Sequence, residues 1–368
     1  MMKRAGVLLV CGTLVCAASV AGPITPPPGP VTGTYKTLVE VEPRIAINAT
    51  NTPGDNDASP SVFKITAPGS YYLTANVAGV SGKHGIEIAI SGVTIDLNGF
   101  HMKGVPGSLD AIACSGDAMT VRNGVVEAWG GRGIRSTGIG AVVRDVQVLS
   151  CGANGISVFV NSIVSGCVAA FNGGHGIVVG TGSVVESCVG STNTGDGISV
   201  NSRSVVSRCT AEGNLGNGIA GDFGSSILDS TSGSNTLSGI KVENGALVAR
   251  CYASTNGQQG IQATSDSTII GNGCDGNGTA IANGAGILVS SSDNRIEGNN
   301  CTDNDIGFRA TAAGNFITRN VCSGNGTNWD VASGNVCLVV SATTASAILG
   351  NSGGTAPGSA DPNANFTY

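Results

Sequence analysis

A period of about 21 residues runs through most of this chain. Gly-Ile pairs recur along it, and the first step between their isoleucines is 22 residues while the next five steps are 21. The isoleucines are Ile134, Ile156, Ile177, Ile198, Ile219, Ile240 and Ile261. A fixed period of this length indicates a solenoid, in which each repeat forms one coil that stacks on the previous coil.

The repeats favour strands over helices. Each repeat places short runs of Val and Ile between Gly, Asn and Ser, and such runs are too short for a helix but suit parallel strands. The 58 Gly and the 11% of charged residues do not fit helical repeats, and the Leu-x-x-Leu-x-Leu frame of leucine-rich repeats is missing. The sequence therefore predicts an all-β fold: a single-stranded right-handed parallel β-helix with about 21 residues per coil and with N-terminal and C-terminal capping segments.

The period also predicts two columns of residues along the stack, with equivalent residues about 4.8 Å apart. We interpret an Asn column as corner residues with left-handed backbone that hydrogen-bond along the stack. We interpret a Cys column as buried, reduced side chains, although the spacing leaves disulfides open. An Asn-x-Cys-x-x-Asn frame at 272–277, 299–304 and 320–325 is expected to continue both columns. The columns are Cys167, Cys188, Cys209, Ser230 and Cys251, and Asn172, Asn193, Asn214, Asn235 and Asn256.

The start of the chain predicts export. Lys3 and Arg4 precede an apolar stretch, and Ser19-Val20-Ala21 supplies small residues for a signal peptidase, so residues 1–21 are expected to be a signal peptide cleaved near Ala21. Residues 22–34 are expected to form a Pro-rich linker, 35–350 the β-helix with its N-terminal cap, and 351–368 a C-terminal tail. We predict a secreted or cell-envelope protein with no transmembrane anchor, because no later run approaches about 18 apolar residues.

The net charge limits the partners. The chain carries 18 basic and 24 acidic residues, and loss of Lys3 and Arg4 with the signal peptide lowers its formal charge from −6 to −8. An acidic surface repels the phosphates of nucleic acids, so no nucleic-acid partner is expected. The sequence gives no indication of an oligomeric state.

Several segments carry a family resemblance. The segments Ile-Thr-Ala-Pro-Gly-Ser-Tyr-Tyr-Leu at 65–73, His-Gly-Ile-Glu-Ile at 84–88 and Val-Thr-Ile-Asp-Leu-Asn-Gly-Phe at 93–100 resemble the opening coils of exported bacterial right-handed parallel β-helix proteins of the pectin-lyase-like superfamily. The Asn-x-Ile-x-x-Asn phrases at 294–299 and 315–320 resemble the parallel β-helix repeat of that superfamily. The resemblance covers about residues 40–335 and implies the fold. The superfamily includes lyases, hydrolases, epimerases and tailspike-like binders, so the resemblance leaves the activity open.

The catalytic motifs of that superfamily are mostly missing. Gly174-His175-Gly176 resembles the Gly-His-Gly of polygalacturonase-type hydrolases, but their Asp-Asp and Arg-Ile-Lys are absent. The calcium-binding carboxylates and arginine base of pectate lyases are not recognisable, and the Asp-Pro-His-Glu of alginate epimerases is absent.

One column supports a catalytic hypothesis. The residue before each Gly-Ile is polar from Arg132 onward, and it places His175 and Asp196 on adjacent coils, where a carboxylate can orient an imidazole for general-base catalysis. We predict Arg132, Arg135, His175 and Asp196 as the candidate catalytic residues. The alternative is an exposed turn position that is polar for that reason alone.

Two functional hypotheses follow. The residue after each isoleucine points outward and is small or neutral in the middle of the stack, which is compatible with an extended polysaccharide, and the aromatic candidates for stacking on sugars are Trp129, Trp329, Phe159 and Tyr252. The favoured hypothesis is a non-catalytic exported β-helix that binds glycans or serves as an envelope or surface component. The alternative is a polysaccharide lyase or glycoside hydrolase that acts along the β-helix face. No cofactor-binding or metal-binding residues are assigned, although Asp-Asn-Asp at 55–57 and 303–305 offers oxygen ligands of the kind that calcium binds.

Overall fold

The computed structural model describes residues 43–280, 282–341 and 362–367. The described residues from Arg44 onward belong to one compact unit. The predicted signal peptide and linker and most of the predicted C-terminal tail lie outside the described residues. Every strand pair between named strands of the described part is parallel, and that part contains no helix and hence none able to cross a membrane. The predicted parallel β-solenoid of about 21 residues per coil is confirmed.

One sheet, here called the front sheet, contains the recurring isoleucines. Each strand between its two end strands pairs with the strand one coil before it and the strand one coil after it, so the column Ile134, Ile156, Ile177 lies in register. In the described residues it has 13 strands: β2 (Ser61–Ile65), β5 (His84–Ile88), β8 (Ile112–Cys114), β10 (Ile134–Ser136), β12 (Ile156–Val158), β15 (Ile177–Val179), β18 (Ile198–Val200), β21 (Ile219–Gly221), β24 (Ile240–Val242), β27 (Ile261–Ala263), β30 (Ala285–Val289), β33 (Ile306–Ala310) and β36 (Thr327–Val331).

The remaining described strands form two further ladders that share two long strands, β9 and β11. The second ladder contains β1 (Ile45–Ile47), β3 (Gly69–Leu73), β6 (Val93–Asp96), β9 (Thr120–Glu127), β11 (Val142–Leu149), β13 (Ile163–Ser165), β16 (Val184–Glu186), β19 (Val205–Ser207), β22 (Ser226–Leu228), β25 (Leu247–Ala249), β28 (Thr268–Ile270), β31 (Arg295–Glu297), β34 (Phe316–Thr318) and β37 (Val336–Cys337). The third ladder adds β4 (Val77–Ala78), β7 (His101–Lys103), β14 (Val168–Ala170), β17 (Val189–Ser191), β20 (Thr210–Glu212), β23 (Thr231–Gly233), β26 (Tyr252–Ser254), β29 (Gly273–Asp275), β32 (Asn300–Thr302), β35 (Val321–Ser323), β38 (Val339–Ser341) and β39 (Asn365–Thr367). Each coil therefore presents three strand faces around one core.

The core is a set of stacked β-branched columns. The isoleucines of the front sheet and the valines of the second ladder, such as Val164, Val185 and Val206, are fully buried. Strand alternation sends one side chain inward and the next outward, so a three-residue strand buries its middle or its two outer residues. Full burial of an Ile side chain is worth roughly 1.5–3 kcal/mol. Repetition of this burial in every coil fixes the register of the stack.

The two ends of the described solenoid are built from strands. At the N-terminal end of the described residues, β1, β2 and β3 pair in register with later strands. At the other end β39 pairs with β35 and β38, and Phe366 lies opposite Val321 and Val340.

Buried asparagines lie just after the strands of the third ladder, as Asn172 does after β14 and Asn193 after β17, and they form a hydrogen-bonded asparagine ladder along the stack. The Asn193 Oδ1 accepts the backbone N–H and the side-chain amide of Asn172, both at 3.0 Å, and the Asn193 Nδ2 donates to Ala169 O and to Asn214 Oδ1, both at 3.0 Å. The same pattern repeats from Asn172 to Asn325. The ladder satisfies backbone groups that the corner between two strands leaves unpaired.

The prediction that the ladder asparagines adopt left-handed backbone is wrong. The left-handed residue is the one before each of them: Phe171 has φ 59°, Thr192 has φ 55° and Ser234 has φ 55°. The chain bends at that residue, and the bend directs the following Asn side chain into the stack. The Asn is therefore selected for its paired donor and acceptor.

The prediction that the later coils continue the Cys column is also wrong. Asn272 takes the place that follows Cys251, because its Oδ1 accepts the Cys251 N–H at 2.8 Å. Cys274 pairs instead with Ala253, and it begins a second Cys column with Cys301 and Cys322. All these thiols are buried and unpaired, in agreement with the prediction of reduced stacking. Burial raises the pKa of Cys151 and of Cys251 to about 11.

Candidate functional site

Two outward columns define the outer surface of the front sheet. The strand column is the residue after each inward isoleucine, and the turn column is the residue two positions before it. Backbone pairing places successive members one coil apart. The strand column runs Glu87, Ala113, Arg135, Ser157, Val178, Ser199, Ala220, Lys241 and Gln262, and the turn column runs His84, Asp110, Arg132, Asn154, His175, Asp196, Asn217, Ser238 and Gln259.

The turn column is a hydrogen-bonded ladder. Asn154 Oδ1 accepts the His175 N–H at 3.0 Å, His175 Nδ1 accepts the Asp196 N–H at 2.9 Å, and Asp196 Oδ1 accepts the Asn217 N–H at 2.6 Å. Asn217 Oδ1 then accepts the Ser238 N–H at 3.2 Å. The polar stripe therefore has a structural cause, since each side chain caps a turn peptide of the next coil.

His175 and Asp196 are neighbours, as predicted, but their contact differs from that of a catalytic dyad. The His175 Nδ1 lies 3.4 Å from Asp196 Oδ2 while it accepts the Asp196 backbone N–H. A neutral imidazole with an accepting Nδ1 carries its proton on Nε2, so its outer nitrogen is a donor. A general base needs that nitrogen unprotonated.

The charges of this pair support each other. The carboxylate of Asp196 raises the pKa of His175, and burial opposes that shift. Burial by itself would raise the pKa of Asp196, but His175 and Asn217 together hold it below its ordinary value. Asp196 is therefore an anion at neutral pH.

The two predicted arginines lie with a second His-Asp pair that the sequence analysis missed. His84 Nδ1 accepts the Asp110 N–H at 3.1 Å, Asp110 Oδ1 accepts the Arg132 N–H at 2.7 Å, and Arg135 Nη1 lies 3.9 Å from Asp110 Oδ2. Arg132 and His175 are two coils, about 10 Å, apart along the turn column. The four predicted residues therefore form two groups. Asp110 precedes Ala-Ile where later coils have Gly-Ile, and its 22-residue distance from Arg132 was the available signal.

Each group lies beside a cleft in the front surface. The upstream cleft measures about 100 Å³ and the downstream cleft about 230 Å³. Both occur where small outward residues, Ala113 in one case and Ser199 with Ala220 in the other, are followed by a long basic side chain. The upstream cleft is lined by Glu87, Ala113, Ser115, Arg135 and Thr137 among others, and the downstream cleft by Asp196, Ser199, Asn217, Ala220, Asp222, Lys241 and Glu243 among others.

The aromatic candidates have different environments. Trp129 is 1% exposed and donates through Nε1 to Met102 O, so it is a core residue and cannot stack on a sugar. Trp329 is half-buried against Phe308. Phe159 is exposed at the edge of the front sheet, directly after β12, whereas Tyr252 is exposed on the third ladder. Phe223, which the sequence analysis did not select, is exposed next to Asp222 of the downstream cleft.

The acidic segment 55–57, which the sequence offered as a calcium-type site, forms ion pairs with the side chain of Lys64. Lys64 Nζ lies 2.6 Å from Asp55 Oδ2, 2.7 Å from Asp57 Oδ2 and 3.2 Å from Glu87 Oε2, and we call these four residues the Lys64 cluster. Among the described residues, its three carboxylates are the group whose oxygens lie close enough to share a metal ion. The ammonium group occupies the position that a cation would take.

Comparison with known proteins supports the fold. Residues 196–352 match the family model for a right-handed β-helix region. The A-module of Azotobacter vinelandii mannuronan C-5 epimerase AlgE4 superposes with a TM-score of 0.61 at 17% identity, over 73% of this chain and 90% of that one. The periplasmic alginate epimerase AlgG gives 0.54 at 14%, over 73% and 76%, and the tailspike of Escherichia coli bacteriophage HK620, solved with a pentasaccharide, gives 0.50 at 13%, over 72% and 60%. No curated protein sequence matches. At these identities the likeness shows the β-helix fold, and bacterial origin and export stay predictions.

Proposed function

We propose that this protein binds a polysaccharide along the outer surface of the front sheet without transforming it. The observation that carries the proposal is the downstream cleft, where Ser199 and Ala220 leave room between larger neighbours and where carboxylate, amide and ammonium groups line the sides. Sugar hydroxyls need both donors and acceptors, and this lining offers both. Two structural neighbours, the mannuronan C-5 epimerase module of AlgE4 and the HK620 tailspike with its pentasaccharide, support a glycan as the ligand of this β-helix.

The charge of the downstream cleft favours sugars that carry no carboxylate. Asp196, Asp222 and Glu243 line it together with a single base, Lys241, whose Nζ lies 4.0 Å from Glu243 Oε1. A uronate placed there would meet an excess of negative charge. Neutral or amino sugars are therefore the expected ligands.

The charge state of Asp196 argues against this residue as the general acid of a glycosidase. A glycosidase needs a carboxyl group that keeps its proton to act as general acid, whereas the pKa of Asp196 is lowered. His175, in its neutral form, presents a donor to the surface, which suits a hydrogen bond to a sugar hydroxyl. We assign His175 and Asp196 to ligand binding.

A lyase or hydrolase is the second candidate, and it has one specific observation in its favour. The front sheet carries two His-Asp pairs, His84 with Asp110 and His175 with Asp196. Asp196 lines the downstream cleft, and Arg135, which lies 3.9 Å from Asp110, lines the upstream cleft. Repetition of the pair on one surface is compatible with acid-base chemistry at either place.

The test is a binding and product assay on one set of proteins. The parent protein is incubated with neutral, amino and acidic polysaccharides, and bound glycan, unsaturated products and new reducing ends are measured. Ser199→Trp fills the downstream cleft, and Ser207→Trp, on the second ladder, is the matched control because it places the same bulk on another face. Retention of a neutral glycan by the parent and the control but not by Ser199→Trp, with no product, supports the proposal. Product formation that His175→Ala or Asp196→Asn abolishes would establish the enzyme instead, and equal binding by all proteins would refute this binding surface.

We also propose export, on the basis of residues 1–21. Expression of the full chain followed by N-terminal sequencing of the extracytoplasmic protein tests it. A mature protein that begins at Gly22 agrees with the proposal, and an uncleaved cytoplasmic chain contradicts it.

A further inference from the structure

We propose that the upstream and downstream clefts engage one linear polymer at the same time, so that tight binding requires a minimum chain length. This inference rests on the proposed function and adds a second binding site and a length requirement to it. It follows from the spacing of the two clefts, the surface between them and their sizes.

The two clefts lie on one straight line. Ala113 of β8 lines the upstream cleft and Ala220 of β21 lines the downstream cleft, and both residues belong to the strand column. In-register pairing connects them through β10, β12, β15 and β18 in five steps. At about 4.8 Å per step, Ala113 and Ala220 are about 24 Å apart.

The surface between the clefts can hold the polymer. The strand column there runs Arg135, Ser157, Val178 and Ser199, so past Arg135 it carries only small or neutral side chains. Phe159 stands exposed at the edge of this stretch. A sugar chain that crosses it meets no charged side chain of the strand column between Arg135 and Lys241.

Each cleft is too small to bind tightly alone. Binding pockets for drug-sized ligands measure about 300–1,000 Å³, and the two clefts measure about 100 and 230 Å³. Each therefore holds about one sugar residue. When two weak sites share one ligand, the second contact forms at an effective concentration near the millimolar range, and avidity rises by roughly 10²–10⁴-fold if the ligand spans the sites.

The required length follows from the spacing. A β-linked pyranose unit extends a chain by roughly 5 Å, so about six units reach from one cleft to the other. Affinity is therefore expected to change little from two to four units and to rise at least tenfold between about five and seven units.

The experiment measures affinity against oligosaccharide length. Cello-oligosaccharides and chito-oligosaccharides of two to eight units are titrated calorimetrically into the parent protein, Ser115→Trp, which fills the upstream cleft, and Ser199→Trp. Ser207→Trp is the control, and circular dichroism establishes that all variants are folded. Ser115 is exposed and lines the upstream cleft, so its replacement leaves the core unchanged.

The outcomes separate this inference from the proposed function. A step near six units in the parent and Ser207→Trp, lost in both cleft variants while dimer affinity changes by less than about threefold, supports it. A smooth rise with length, or a step that survives in either cleft variant, overturns it and leaves glycan binding in place. Absence of binding to every oligosaccharide and polysaccharide tested overturns the proposed function and this inference together.

Discussion

The asparagine ladder predicts a large cost for one substitution on the side of the stack. Asn193→Ala removes four hydrogen bonds at 3.0 Å. The Asn172 N–H and the Ala169 carbonyl oxygen then lose their side-chain partner. Asn193 is 1% exposed, so water cannot replace these bonds without opening the coil. At about 1 kcal/mol net for each bond, the free energy of unfolding should fall by about 4 kcal/mol.

Guanidinium denaturation followed by circular dichroism measures this loss, and hydrogen exchange at the Asn172 amide locates it. Asn201→Ala is the control, because Asn201 lies in the adjacent coil with an exposed side chain and should change stability by less than about 0.5 kcal/mol. A loss below about 1 kcal/mol for Asn193→Ala, or unchanged protection of the Asn172 amide, would refute the ladder as a stabilising element.

Three further predictions concern single residues. Phe171→Gly should stabilise the protein by about 0.5–1 kcal/mol in thermal denaturation, because Phe171 is 62% exposed and has φ 59°, a backbone conformation that glycine adopts without strain. Phe159→Gly is the control and should destabilise the protein, because Phe159 is exposed but has no positive φ. Stabilisation by both substitutions or by neither contradicts the backbone argument. The His175 pKa is raised, so its contribution to stability is present below pH 6.5 and is lost as the pH rises through its folded pKa, while the Asp196 contribution is present above pH 3.8 and is lost as the pH falls through its folded pKa. His175→Asn keeps a hydrogen-bond acceptor in the turn column but removes the ion pair with Asp196. The variant should therefore be less stable than the parent mainly at pH values between the folded pKa of Asp196 and the folded pKa of His175. Parallel profiles of stability against pH for the two proteins would exclude the ion pair. Lys64→Met should turn the Lys64 cluster into a calcium site, seen as a rise in Tm with millimolar calcium in the variant but not in the parent, and equal responses would show that the lysine does not replace a metal.

The fold could be predicted because the stack repeats one chemical unit. The isoleucine spacing fixed the coil length, and strand alternation correctly assigned inward and outward residues. The period gave no information on which residue of a corner bends, so the left-handed position was assigned to Asn instead of the residue before it. The Cys column was lost for a related reason. In the Asn-x-Cys-x-x-Asn frame the first Asn continues the Cys column, and the Cys stands two residues after that Asn. Strand alternation therefore places the Cys at the next inward position, as Cys274 opposite Ala253 shows.

The candidate site could be predicted only in part. Adjacent coils place His175 beside Asp196, and the period was enough to find that contact. The direction of the hydrogen bond at Nδ1 depends on backbone geometry in the next turn, so the sequence could not distinguish a cap from a catalytic dyad. Asp110 was missed because Ala replaces Gly in its coil, and the clefts were missed because each is made by the absence of bulk over several coils.

The ladders give the stack a translational symmetry of hydrogen bonds. Each Asn accepts from the coil before it and donates to the coil after it, with nearly the same distances at every step. Any one coil in the regular region therefore presents the same bonding groups above and below as its neighbours do. Excision of 156–176, residues that line neither cleft, would join Gly155 to Ile177 and let the Cys151 N–H donate to Asn193 Oδ1 as it now donates to Asn172 Oδ1. The chain can thus lengthen or shorten by whole coils without new chemistry at the junction, and the distance between its two clefts changes by one coil step when the coil lies between them.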